Sequence, residues 1–284
     1  MPLDYQKLKN WPIPRIEQHY TERDTMLYAL GLGCGTDPLD RADLRFVYED
    51  GLRALPMMGV VLAGPGFWLK DPATGVDWRK VLHGEQGLIV HQPLPASGTV
   101  VGTSRITEII DRGDKGAFMY SERAVVDQAG QKLCTLTSTT VLRGDGGFGG
   151  PTGPAPEPHA LPSRAPDLAV DVPTLPQAAL IYRLSGDYNP LHADPAVATA
   201  VGFPRPILHG LCTFGVAGRA ILKACCANDP ARLTEMRLRF SAPVLPGETI
   251  RTELWCDGAV VSFRARVVER DVVVLNNGRA VIAA

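Results

Sequence analysis

Two side chains five positions apart carry the clearest chemical signal in the chain. Asp187 and His192 lie in the run Tyr182-Arg183-Leu184-Ser185-Gly186-Asp187-Tyr188-Asn189-Pro190-Leu191-His192. A carboxylate and an imidazole aimed at one point can hold a water, take its proton and hand a proton on. A spacing of five does not place both on one helix face. A loop must bring them together, and Gly186 with Asn189-Pro190 breaks the helix there. Asp194-Pro195 then has the form of an N-cap followed by proline in the first helical turn. The same residue types build ordinary turns, so the loop alone also fits a plain turn with His192 on the surface. A second feature bears on the choice, because His209-Gly210 opens an apolar segment. The first N–H groups of a helix lack partners within it and can polarise a carbonyl oxygen. Glycine at such a start leaves room for a ligand. His209 itself reads as a buried hydrogen-bonding spacer beside it.

The segment His209 to Cys226 is the predicted helix. Leu211, Phe214, Gly218, Ile221, Leu222 and Cys225 share one face at three- and four-residue steps. Gly215 and Gly218 lower helix propensity by roughly 1 kcal/mol each, which points to close approach by a strand or a substrate. Period-two alternation predicts strands around Met236–Ser241, Ile250–Cys256 and Val261–Val267. In the first half it predicts Gly87–Leu94, Thr99–Ile110, Ala117–Asp127 and Leu133–Leu142.

The two halves echo each other. Met26–Gly31 resembles Leu180–Gly186, Pro56–Gly66 answers Leu208–Cys225, and Pro93–Thr99 answers Pro243–Thr249. An internal duplication follows. A Gly/Pro-rich stretch from Gly144 to about Pro176 reads as an irregular connector. The expected organisation is a first half over 1–145, a linker over 146–176 and a second half over 177–284. Each half would be an apolar helix with antiparallel strands wrapped on it, an α+β arrangement. Gly31-Leu32-Gly33 stands where the second half has Ser185-Gly186-Asp187, so the first half lacks a dyad of its own. That glycine run follows a helix rather than a strand, which excludes a dinucleotide loop.

Composition removes several classes. With 284 residues, 45% of them hydrophobic, the chain can bury a sizeable core. A net charge of −1 leaves no basic stripe for nucleic acid. No stretch has the roughly 20 apolar residues a bilayer span needs. The six cysteines include no C-x-x-C pair, which disfavours a zinc site. Reduced thiols, a polar N-terminal stretch and a C-terminus without a Ser-Lys-Leu address lead to the expectation of a cytoplasmic protein.

Taken together, Ser185–His192 resembles the Ser-Gly-Asp-x-Asn-Pro-Leu-His motif of the hydratase 2 family. These are the MaoC-like (R)-specific 2-enoyl-CoA hydratases, among them the hydratase region of peroxisomal multifunctional enzyme type 2. The resemblance extends through Ala198, Pro206–Gly215, Arg239-Phe240 and Pro246-Gly247, and in the first half through Tyr20–Asp24, His83–Gln86 and Gly146–Gly150. It implies a double hot dog fold: two sheets, each wrapped on a helix, packed side by side. It implies Asp187 and His192 as catalytic dyad, Asn189 as orienting residue and Gly210 as the backbone donor to the thioester oxygen. His83, Gly84, Arg112 and Phe240 match positions that contact the CoA thioester, and Tyr188, Pro190 and Leu191 belong to the substrate-binding motif. Arg112 stands where one relative carries lysine, and the two cations differ in geometry. The implied activity is reversible hydration of trans-2-enoyl-CoA to (3R)-3-hydroxyacyl-CoA, with no cofactor or metal, in a homodimer. The acyl-CoA thioester is the expected partner, and neither nucleic acid nor a membrane is. The first half, with its apolar run Leu55–Trp68, is expected to accommodate the acyl chain and CoA. Dehydration on acyl carrier protein or on a steroid side-chain CoA, thioester hydrolysis and acyl-CoA binding without catalysis stay open as alternatives.

Overall fold

In the computed structural model, which describes residues 2–283, the two expected sheets are one. Ten strands form it: β1 (Ile16–Tyr20), β2 (Val81–Val90), β3 (Gly98–Asp111), β4 (Ala117–Asp127), β5 (Lys132–Leu142), β6 (Leu168–Pro173), β7 (Leu233–Phe240), β8 (Thr249–Asp257), β9 (Val260–Val267) and β10 (Val272–Ile282). Their order across the sheet is β1-β3-β4-β5-β2-β7-β10-β9-β8-β6, antiparallel throughout. Read outward from the centre, both halves repeat one topology, which supports the duplication. The seam is the pair β2·β7, with Gly87 opposite Arg237 at its middle.

The register makes the halves comparable residue by residue. Gln86 on β2 answers Met236 on β7 across the seam's local twofold. Ser138 pairs with Gln86 and Ala280 with Met236. Ser121 pairs with Ser138 and Val261 with Ala280. Two residues along on the same face, Arg123 takes the place of Phe263.

Among the described residues six α-helices accompany the sheet: α1 (Tyr5–Lys9), α2 (Glu22–Gly31), α3 (Arg41–Leu44), α4 (Ala178–Tyr182), α5 (Pro195–Ala200) and α6 (Gly210–Cys225). Helix α6 is the long central helix of the second half, buried from Cys212 to Leu222. The first half has no counterpart of that length. Pro56–Val60 forms only a 3-10 turn, followed by a non-helical stretch. The expectation of one apolar helix per half therefore fails for the first half, where proline opens the segment and Gly59 and Gly64 interrupt it.

Gly215 and Gly218 of α6 were expected to meet a strand or a substrate; they meet the first half instead. A Cβ at Gly218 would lie 2.5 Å from Met57 Cγ, and one at Gly215 would lie 2.6 Å from Leu32 Cδ2. Arg219 of α6 donates to the buried carboxylate of Asp43 and to the Leu32 carbonyl. Tyr28 and Tyr182, at corresponding points of α2 and α4, have ring centroids 5.9 Å apart. One continuous core runs through both halves.

The linker is shorter than its composition suggests, because β6 lies within it and forms a sheet edge against β8. Its glycine-rich start is anchored: Asp111 accepts N–H bonds from Gly113, Gly147 and Gly149. Those donors hold its carboxyl below the usual range. Among the described residues no helix is long and apolar enough to cross a membrane. All six cysteines are free thiols.

Candidate active site

Helix α4 runs into a 3-10 turn, Arg183–Ser185, that ends at Gly186 with φ of 120°, a conformation that favours glycine. The chain then reverses. Asn189 N donates to Asp187 Oδ1 at 3.1 Å, and Leu191 N donates to Asn189 Oδ1 at 3.2 Å. Asn189 thus caps the 3-10 turn Pro190–His192. His192 is buried, and its Nδ1 lies 2.8 Å from the Ile207 carbonyl. A carbonyl can only accept, so Nδ1 carries the proton and Nε2 keeps its lone pair. Burial holds this imidazole below its ordinary value.

His209, the N-cap residue of α6, is fully enclosed. Its Nε2 donates to the Asp187 carbonyl at 3.1 Å. Its ring stacks on His192 at 3.7 Å between centroids and meets Tyr182 at 5.1 Å in a tilted contact. Burial, reinforced by the neighbouring His192, pushes it down to about 4. It is therefore a neutral spacer that holds both the loop backbone and the His192 ring. Side-chain ligand atoms of Asp187, His192 and His209 all lie within 4.8 Å of one another. One nitrogen of each ring is engaged with a backbone carbonyl, His192 Nδ1 with Ile207 and His209 Nε2 with Asp187, which leaves one nitrogen of each.

Helix α6 starts at Gly210, and its first backbone bonds are donated by Cys212 and Thr213 to the His209 carbonyl. The Gly210 N–H precedes them and is free of the helix's own bonding. A Cβ at Gly210 would sit 3.2 Å from the Phe240 ring, so the ring closes on this glycine. Phe240 in turn meets the His83 ring at 4.8 Å.

These groups share the wall of one cavity of about 1150 Å³ that reaches deep into the first half. Asp187, Tyr188, Asn189, Leu191, His192, Gly210, His83 and Phe240 all line it. Gly84, Arg112 and Pro190 are outside that lining. Gly84 sits at a bulge of β2, pressed toward Val141 and the Thr139 carbonyl. Arg112 turns at the end of β3 with its guanidinium over Phe118, 5.8 Å from the ring centre. The cations that do line the cavity are Lys70, Arg123 and Arg143, none of which the sequence reading singled out. Only Arg123 left a sequence signal. It continues the period-two row Met119, Ser121 on β4, where a core strand would carry an apolar residue.

Residues 158–278 match the MaoC like domain family, and residues 18–144 match the MFE-2 hydratase 2 N-terminal domain family. The enoyl-CoA hydratase ChsH3 of Mycobacterium tuberculosis is 41% identical over 290 residues, covering 100% of both chains. The chain belongs to the MaoC-like hydratase 2 family. A MaoC-like dehydratase from Phytophthora capsici superposes with a TM-score of 0.87 at 35% identity, covering 99% of this chain and 98% of that one. The mouse peroxisomal multifunctional enzyme type 2 is 39% identical over 275 residues, 93% of this chain and 37% of that enzyme. As a family member this MaoC-like protein is a hydro-lyase with the double hot dog fold. The cytoplasmic expectation is overturned by its peroxisomal relatives. Free thiols do not single out one compartment.

Proposed function

We propose that this hydro-lyase adds water reversibly to trans-2-enoyl-CoA and forms (3R)-3-hydroxyacyl-CoA at the Asp187/His192 pair. The observation that carries the reading is the convergence of three groups on one cavity wall. These are the carboxylate of Asp187, the unprotonated Nε2 of His192 and the free N–H of Gly210. An enoyl thioester needs its carbonyl polarised before C3 becomes electrophilic. The Gly210 N–H, at the positive end of α6, suits the oxygen that gains charge as water attacks. The pair orients the water and removes a proton as its oxygen bonds to C3. A proton is then returned to C2 from the same side, which makes the addition syn. The two groups act as a coupled unit, so separate acid and base labels are not assigned.

The rest of the cavity suits a thioester. Its volume exceeds what a short enoyl group fills, and it extends under the first half. Lys70 and Arg143 are exposed at its rim and are better placed than Arg112 for the phosphates of CoA. The homodimer implied by family resemblance belongs to the same proposal.

The direct test follows the loss of enoyl absorbance with crotonyl- and decenoyl-CoA, with chiral analysis of the product. Turnover to the (3R) alcohol is expected. A protein inactive at every chain length, or one releasing free CoA thiol instead, overturns the reading. Carrier-protein thioesters run in parallel separate the two thiol carriers.

A further inference from the structure

The deep end of the cavity holds a cation that the chemistry at Asp187 and His192 does not use. Arg123 points from β4 into the first half, half-buried and lining the cavity. Its one hydrogen bond among the described residues runs from Nη2 to the Val60 carbonyl, at 2.6 Å. Its Nε is enclosed without a partner. Among the described residues no carboxylate pairs with it; the neighbouring Glu122 pairs with Arg105 instead. The guanidinium has space because residue 64 is glycine, where a Cβ would fall 2.5 Å from Nη1.

Its counterpart across the duplication is Phe263, fully buried in the core. The same strand position thus holds a phenylalanine where a helix covers the sheet and an uncompensated cation where a cavity replaces the helix. An interior charge without a partner is unfavourable unless water or a ligand supplies one. The wall beside it is polar too. The Ser121 and Ser138 hydroxyls lie 2.7 Å apart and belong to the same lining.

Arg123 is remote from the reacting end. His83, beside Phe240 and Gly210, pairs with Thr140 of β5, whereas Arg123 pairs with Leu136 of β5 from the opposite side. Four residues along and two strands across separate their backbones by roughly 16 Å. The guanidinium therefore meets the far end of an acyl group whose thioester lies at Gly210.

We propose that Arg123 determines specificity for the remote end of the acyl group, and that this end carries an acceptor oxygen, a carboxylate or a carbonyl. This rests on the hydratase reading for the position of the thioester. A carboxylate gains both charge and hydrogen bonding from a guanidinium edge; a ketone gains the hydrogen bond alone.

The test compares kcat/KM for 2-enoyl-CoA substrates of matched medium length that end in methyl, methyl ketone or carboxylate. Wild-type protein should favour an oxygen-bearing terminus over methyl by at least about tenfold. Arg123→Met should collapse that ratio, and Arg123→Lys should keep a preference for carboxylate. Gly64→Ala, which crowds Nη1, should reduce the ratio less. The readout is a ratio between substrates, which a general loss of fold or catalysis lowers for all alike. If Arg123→Met does not fold, the wild-type ratio and Gly64→Ala still decide. Equal turnover of the three termini, or a preference for methyl, overturns the proposal while crotonyl-CoA turnover leaves the hydratase reading standing. Absence of crotonyl-CoA turnover instead overturns the reading beneath it.

Discussion

The two halves share a strand order and differ in what they place against the sheet. In the second half α6 covers it, and Met236, Ala280 and Val261 make dry contacts within one core. In the first half the corresponding residues are Gln86, Ser138 and Ser121, which line a cavity. The segment that could have supplied a helix has contracted to the turn Pro56–Val60. One half is thus a packed support that also carries the candidate catalytic loop. The other has given up its central helix for space. Polarity at three matched positions marks which face meets solvent or ligand and which meets a helix.

Four experiments break or sharpen that contrast. The largest effect should come from the second half's loop. Asp187→Asn and His192→Ala are each expected to lower kcat on crotonyl-CoA by about 10²–10⁴, with unchanged circular dichroism. Near-wild-type turnover in both would remove the chemistry from this half.

Next, Ala280→Leu and Ser138→Leu enlarge side chains at matched positions. In the packed half overfilling should cost about 1–3 kcal/mol and lower Tm by several degrees. In the open half Tm should move less, while turnover shifts toward short acyl chains. Equal Tm losses with unchanged chain-length selectivity would mean the first half is packed after all.

A pH profile comes third. Burial depresses His192, so its reactive neutral form persists below the ordinary imidazole value of about 6.5. The acid limb of kcat/KM should therefore fall below that pH, by roughly tenfold per unit once through it. His83→Gln should leave the limb in place, and a limb that vanishes with His83 would transfer the proton chemistry to the first half. The same burial makes the fold less stable in acid. His209 titrates at about 4 when folded, so its contribution is full above about 6.5 and declines as pH falls from there toward 4. Thermal melts across that window report it.

The smallest effect concerns the rim. Lys70→Ala and Arg143→Ala should each raise KM for a CoA thioester a few-fold, in the range of exposed charge pairs at about 0.2–1 kcal/mol. Arg112→Ala should not, and the reverse pattern would restore Arg112 as a phosphate contact.

What could be read from the sequence was local. Helix α6, the loop-breaking Gly186 and Asn189-Pro190, and four strands of the first half follow from residue spacing within short windows. Edge strands β1 and β6 escaped because each is short, and β6 sits in a proline-rich stretch. Strand β10 escaped because Asn277 and Gly278 interrupt its alternation with a bulge. Strand β2 begins at Val81, earlier than expected, because His83-Gly84 breaks the apolar pattern where the strand faces the cavity. The missing helix of the first half left only weak signals, its opening proline with Gly59 and Gly64, and α6 forms a helix despite three glycines of its own. Pro56–Val60 is fully buried, so its composition is that of a core segment whether or not it is helical. The stacking of His192 on His209 joins a loop to a helix start across the fold, and no local pattern encodes it.

The seam between β2 and β7 has a consequence for how such a molecule can change. Had the two halves been separate identical chains meeting at that seam, every substitution would have appeared on both sides of the twofold. A residue emptied from one helix would be emptied from the other, and a dyad lost from one loop would be lost twice. Joining them through residues 146–167 breaks that bond between the copies. One copy can then shed its dyad and its helix while the other keeps both, and a pairing inherited from symmetry comes to hold two unlike parts together.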